Sequence, residues 1–189
     1  MAQRKRSGSR RSTRKATSRR ASTRRTARKP DALRMLKEDH QRVQQLFERF
    51  ERTRGDAQKE RVAETICNEL KVHAQLEEEL FYPAVREAIS DADLMNEAEV
   101  EHASAKDLIA QIEGSSPSDE RYDALVTVLG EYIKHHVKEE ETEMFKKVRG
   151  SDLDLAALGE EMRERKGALL GESGKKSSLG SMIFGRTGS

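Results

Sequence analysis

His73-Ala-Gln-Leu-Glu77-Glu-Glu-Leu-Phe-Tyr82 and His136-Val-Lys-Glu-Glu140-Glu-Thr-Glu-Met-Phe145 are two copies of one pattern, and their reading decides the fold. In each copy an apolar residue, Leu70 or Ile133, stands three before the His, and a Glu stands four after it. A large apolar pair closes the copy, Phe81-Tyr82 or Met144-Phe145. Steps of three and four place side chains on one face of an α-helix, so each copy predicts a helix whose inward stripe carries an imidazole and a carboxylate. The same register separates His136 from His135. Eight residues after His136 comes Met144, matching Phe81 after His73, whereas eight after His135 comes Glu143. His136 is the expected inward residue and His135 its flank.

Outward from these copies, two further helices each offer one histidine at a core position. Leu33, Leu36, His40, Val43, Phe47 and Phe50 form the stripe of a helix that starts at Pro30-Asp31 and ends at Arg54-Gly55-Asp56. Leu94, Ala98, His102, Ala105, Ile109 and Ile112 form that of another, closed by Gly114 and the Ser/Pro run after it. The helix of the first copy runs from about Ala57 with Val62, Ile66 and Leu70 in register, and Pro83 is expected to kink it or to end its regular part. The helix of the second copy opens near Ser118-Asp119 with Tyr122, Leu125 and Leu129 and stops before Gly150. Short links between four such helices predict an all-α, antiparallel up-down-up-down four-helix bundle over residues 31–150. A shorter accessory helix is expected from Leu153 to about Lys166, within residues 151–166, and a flexible C-terminus over residues 167–189.

Charge divides the chain in two. Residues 1–30 hold 13 of the 36 basic residues and none of the 34 acidic ones, which leaves 23 basic against 34 acidic, a net −11, for the rest. The basic residues come largely in pairs with Ser, Thr and Ala between them: Arg10-Arg11, Arg14-Lys15, Arg19-Arg20, Arg24-Arg25 and Arg28-Lys29. One-signed charge with nothing to bury predicts a disordered tail. Closely spaced cations on such a tail suit a phosphate backbone, which they bind without reading bases. No Leu, Ile, Val or Phe precedes Leu33, which argues against an amphipathic targeting peptide and against an export signal. No apolar run approaches the roughly 18 residues of a membrane span. Aromatics at 4% and charged residues at 37% exclude a strand-rich fold. Cys67 lies in an apolar helical pattern and is expected to be a buried, inert thiol. The expected setting is cytoplasmic, at the nucleoid if the tail holds nucleic acid, with no membrane partner.

Four imidazoles and two carboxylates in a narrow helical core would each cost roughly 1–3 kcal/mol without a partner, against the roughly 5–15 kcal/mol that keeps a domain folded. A bound cation removes that penalty. Six nitrogen and oxygen donors exceed the four of a structural zinc site and suit two ions sharing carboxylates, with iron, manganese or zinc all compatible. A ferritin-like centre would need Glu-x2-His twice, and only Glu99-x2-His102 has that spacing. The remaining acids of Glu77-Glu78-Glu79 and of Glu139 to Glu141 read as solvated helix faces.

Taken together, Leu36-Lys-Glu-Asp-His40, the two His-x3-Glu copies and Glu101-His102 between them resemble the hemerythrin-like, HHE cation-binding family over about residues 31–150. The resemblance implies two iron ions joined by an oxo or hydroxo bridge. His40, His73, His102 and His136 would be their terminal nitrogen ligands, and Glu77 and Glu140 their bridging carboxylates. Oxygen-carrying hemerythrins place two histidines one turn apart on the third helix. Here Ala98 and Lys106 stand four before and four after His102, and His135 and Glu78 are the neighbouring donors. That departure shifts the implied role from reversible oxygen carriage to sensing, iron handling or peroxide consumption. The expected function is that of a non-haem di-iron protein meeting O2, peroxide or nitric oxide in oxidative-stress defence, with catalase-like peroxide decomposition as its enzymatic form. A non-catalytic iron or oxygen sensor, or an iron-handling module, is the alternative.

Overall fold

The computed structural model describes the backbone of residues 31–184 and the side chains of residues 31–171; the basic tail, with Arg10 through Lys29, and residues 185–189 lie outside the described residues. Asp31 acts as the start signal that the sequence predicts. Its carboxylate accepts from the Arg34 N–H at 2.9 Å and caps α1, Ala32–Arg52. Gly55, at φ 85°, makes the turn into α2, Asp56–Leu76, in a backbone conformation that side-chain-bearing residues rarely adopt. A π-helical turn, Glu77–Phe81, carries the chain into α3, Tyr82–Ala88. Asp91 caps α4, Ala92–Glu113, by accepting from the Leu94 N–H at 3.2 Å. The next helix, α5, spans Tyr122–Glu139, and a second π-helical turn, Glu140–Met144, joins it to α6, Phe145–Arg149. It starts later than Ser118-Asp119 because the Asp119 carboxylate accepts from Ser116 N–H at 2.8 Å, closing a turn instead of capping a helix.

Among the described residues there is no strand, and none of their helices is long and apolar enough to cross a membrane. Helix α1 packs against α2 and α5, and α4 packs against the same two, so the contacts form a closed ring. The buried apolar residues fall into two clusters. One gathers Leu33, Leu36, Leu76, Phe81, Met95 and Phe145; the other gathers Val43, Ile66, Leu70, Ile109, Val126 and Leu129. Along α1 and α4 the first cluster comes before the second; along α2, and from α5 through the second π turn into α6, the order is reversed. Buried His40, His73, His102 and His136, with Glu77 and Glu140, lie at or near the changeover in each case. Cys67 is buried in the second cluster as a free thiol whose pKa burial pushes up to about 11, in keeping with an inert thiol.

The last helix differs from the expectation. Asp154 accepts from Ala156 N–H and Ala157 N–H at 3.0 Å each and opens α7, Leu155–Phe184, which continues well past Lys166. Its stripe of Leu158, Met162 and Leu169 is buried in the first cluster, so the inward face runs on beyond Gly167 and the helix has reason to continue. Gly167 and Gly171 are accommodated inside it at roughly 1 kcal/mol each relative to Ala. Helix α7 lies against α1, α2 and the first π turn. A Cβ at Gly159 would come within 2.7 Å of the Ala32 backbone nitrogen and 2.8 Å of the Asp31 carbonyl carbon. Backbone cannot yield as a flexible side chain does, so Gly159→Ala is expected to destabilise the full chain by about 1–3 kcal/mol. Denaturant unfolding checks this, and an unchanged midpoint would show that α7 does not press on α1 there.

Candidate metal centre

Both His-x3-Glu copies meet the π turns at the same place. Glu77 and Glu140 are the first residues of their turns, and the N–H of Tyr82 and of Phe145 donates five residues back, to the carbonyls of Glu77 and Glu140. Each turn thereby inserts one residue into the helix, which lets the neighbours Phe81 and Tyr82, or Met144 and Phe145, both be buried just after an inward carboxylate. Pro83 is not the cause. Lys146 occupies the equivalent position after the second turn, so the feature common to both copies is the buried Glu followed by the bulky pair.

The six expected residues are brought together. His40 Nε2 lies 3.2 Å from His73 Nε2, and His102 Nε2 lies 3.3 Å from His136 Nε2. Glu140 Oε2 is 3.2 Å from His40 Nε2, while Glu77 Oε2 is 3.2 Å from His73 Nε2 and 3.3 Å from His102 Nε2. Two groups result, His40-His73-Glu77-Glu140 and Glu77-His102-His136, with Glu77 common to both and the ligand atoms of each group within 4.8 Å of one another. Both carboxylate oxygens of Glu77 and of Glu140 are buried without a hydrogen-bond partner. Nitrogens 3.2 Å apart, each about 2.1 Å from a shared ion, would subtend about 100° at it, between octahedral and tetrahedral angles. Bare buried carboxylates facing converging imidazoles are what a multivalent cation satisfies, so the donor set fits a metal pair.

The outer nitrogens explain why the inner ones converge. His40 Nδ1 donates to Glu141 at 2.9 Å, His102 Nδ1 to Glu78 at 3.0 Å and His136 Nδ1 to Glu101 at 2.6 Å. His73 Nδ1 faces Asp39 across 3.8 Å, beyond hydrogen-bond reach. An outward Nδ1–H leaves the Nε2 lone pair pointing in, the usual arrangement around ligating histidines. Lysines hold three of these acids: Lys37 bonds Glu141, Lys166 bonds Asp39, and Lys106 bonds Glu78 at 2.6 Å. Lys106, which stands where the resemblance would put a further histidine, thus braces the partner of His102, and Glu78 is that partner and not an inner donor. His135 is 62% exposed and lies outside the inner groups, in agreement with the register that selects His136.

The match to the hemerythrin HHE cation-binding domain runs from residue 31 to residue 148. The chain belongs to that family. A relative from Nostoc sp. named a DNA nickase is 31% identical over 121 residues, which are 64% of this chain and 33% of that protein. The chain therefore spans about a third of that relative's length. The crystal structure of a hemerythrin HHE cation-binding domain-containing protein from Mycobacterium kansasii aligns with a TM-score of 0.68 at 24% identity, over 78% of this chain and 91% of that one, and shows the shared fold.

One inner group escaped the sequence reading. The Tyr82 hydroxyl lies 3.0 Å from His102 Nε2 and is buried, and burial followed by the charges of Glu77 and Glu140 pushes its pKa well above the usual range. The equivalent residue of the second copy, Phe145, instead stacks on His40 at 6.1 Å between ring centres. The only signal in the sequence is that the ninth residue after each His is aromatic. Against the four imidazoles lies a small cavity of about 30 Å³, otherwise lined largely by apolar side chains such as Val43, Leu70, Ala105, Ile109 and Ile133.

Without metal the centre distributes protons unevenly. Burial disfavours a charged His40, yet the Glu140 carboxylate close to its Nε2 carries its pKa up to about 9, while burial takes His73 down to about 4. Burial, then the charge of Glu140, raises Glu77 well above the usual carboxylate range, whereas Glu140, against its burial, is held down to about 2 by the nearby His40. His40 and Glu77 therefore keep protons that an unfolded chain releases near 6.5 and 4.5, which lowers stability as pH rises. His73 acts oppositely, because below 6.5 only the unfolded chain protonates it. The contributions offset each other between about 4.5 and 6.5, and above 6.5 only the loss remains, up to about 9. Chelator-treated protein should accordingly show a melting temperature that falls as pH rises from 6.5 to 9, and a flat profile there would contradict this proton distribution.

Proposed function

We propose that this is a non-haem di-iron protein that meets O2, peroxide or nitric oxide, serves in oxidative-stress defence through catalase-like peroxide decomposition, and is held at nucleic acid by its basic N-terminal tail. The observation that carries the metal reading is the pair of carboxylates with all four oxygens buried and unpartnered between four converging imidazoles. In this reading His40, His73, His102 and His136 are the terminal ligands, and Glu77 and Glu140 bridge two iron ions. The alternating order of the two apolar clusters along successive helices supports an up-down-up-down four-helix frame for them.

Bound iron supplies the electron exchange with O2, peroxide or nitric oxide that side chains alone lack. The chain's own residues do the rest. Glu78, Glu101 and Glu141 fix ring orientation from outside, and the apolar cavity beside the imidazoles has room for a ligand of a few atoms while excluding larger reductants. The Tyr82 hydroxyl retains its proton at the inner face beside His102, a donor that Phe145 does not provide on the other side.

Protein purified from cells grown with iron is expected to carry two irons per chain with oxo-to-iron charge-transfer bands, and to consume peroxide faster than the same amount of free iron. Replacing His73 or Glu140 with Ala should abolish both the iron and the bands. Two irons without peroxide consumption would leave the non-catalytic sensor or iron-handling reading, and absence of iron would end both.

For the tail, 13 cations without an acid within 30 residues favour a polyphosphate partner, and the Nostoc relative's name associates this domain with a protein that acts on DNA. Duplex DNA should bind the full chain with affinity falling about 10³-fold or more between 50 and 200 mM salt, as for roughly six or more phosphate contacts. Equal binding by a chain beginning at Asp31 would remove the tail from the interaction. Incubating the iron-loaded chain with supercoiled plasmid separates simple binding from strand nicking, since only the latter converts it to open circles.

A further inference from the structure

Three of the four outer carboxylates are braced by lysines; among the described residues the fourth, Glu101, faces His135 instead. An ammonium can only neutralise an acid, whereas an imidazole can ligate a cation beside it. Glu101, His135 and Glu139 offer one ligand atom each, all within 4.8 Å of one another, and His135 Nε2 lies 3.2 Å from Glu139 Oε1. His135 and Glu139 are one turn apart on α5, and Glu101 reaches them from α4, so the three form a ligand face shared by two helices.

This face connects inward. Glu101 also accepts from His136 Nδ1 at 2.6 Å, making it common to the outer trio and the inner centre. A cavity of about 10 Å³ touches both, being lined by Glu101 and Glu139 of the outer trio and by His136 and Glu140 of the inner centre, with Glu97 and the apolar Leu94, Ala98 and Met144. That volume is about that of one water-sized sphere, enough for a single ion. Side-chain exposure falls from 62% at His135 to 34% at Glu139, 13% at Glu101, 6% at His136 and 0% at Glu140, which orders the donors from solvent to core. Three outer donors leave several positions to water, so a cation is held there loosely and exchangeably. The inner groups offer more donors and less water, so transfer runs inward.

We infer that Glu101, His135 and Glu139 form a surface site for divalent first-row metal ions and load the buried centre through the acidic cleft between α4 and α5. The step is ligand exchange: water is replaced first by Glu139 and His135, then by Glu101 and Glu140, without change of oxidation state. The inference rests on the metal-centre reading above and adds where the ions come in.

The test is the uptake rate of Co2+ by the metal-free full chain, followed by its visible absorption after rapid mixing. The double variant His135→Ala with Glu139→Gln is expected to load at least tenfold more slowly, with the same final stoichiometry and spectrum as the unmodified protein, while Lys134→Ala on the same helix loads normally. Titration beyond saturation of the inner centre should show a weaker additional site that the double variant lacks. Equal loading rates would overturn the inference while leaving the metal centre standing, and an altered final spectrum would overturn it by assigning His135 a structural role at the centre. No Co2+ uptake by the unmodified protein would overturn the metal-centre reading, and the inference with it.

Discussion

Six polar groups stacked across a helical core are the constraint on which the rest of this structure depends. Glu77 and Glu140 are each fully buried, and their oxygens face imidazoles and each other without a hydrogen-bond partner. A core of this width has no room to solvate them, so the fold surrounds the layer with compensations: three Nδ1–H groups turned outward to acids, lysines on two of those acids and on Asp39 beside His73, and apolar clusters sealing it on both sides. The two π turns belong to the same set of compensations. Each begins at the buried carboxylate and brings two consecutive bulky residues inward to close the layer from one end.

Much of this was legible because helical spacing is a strong constraint. The inward stripe carrying His40, the choice of His136 over His135 as the inward residue and the gathering of six donors all follow from counting threes and fours. What escaped is what counting cannot carry. An inserted residue inside a helix leaves the His-to-Glu spacing untouched and shows only as neighbouring apolar residues, such as Phe81 and Tyr82, that a regular helix would not bury equally. In α5 the buried residue is Val126, where the spacing favoured Leu125. Gly167 reads as a stop, but Leu169 beyond it has a core to enter.

The outer layer was hidden for a different reason. Glu78 sits in a run of three acids that looks like any solvated surface, and Lys106 looks like a missing histidine. Only the pairing between helices shows that one steadies His102 and the other steadies it in turn. Glu79, by contrast, bonds Arg165 of α7 and Gln75 at the surface, so adjacent residues of one run serve different ends.

Gly159 meets the backbone at Asp31 and Ala32, where the first helix begins just after the basic stretch of the sequence. Seven residues on, about two turns of α7, Lys166 grips Asp39, which faces His73. Helix α7 is therefore a tie between the start of α1 and the neighbour of an imidazole, so a change at either contact is felt by the same rigid rod.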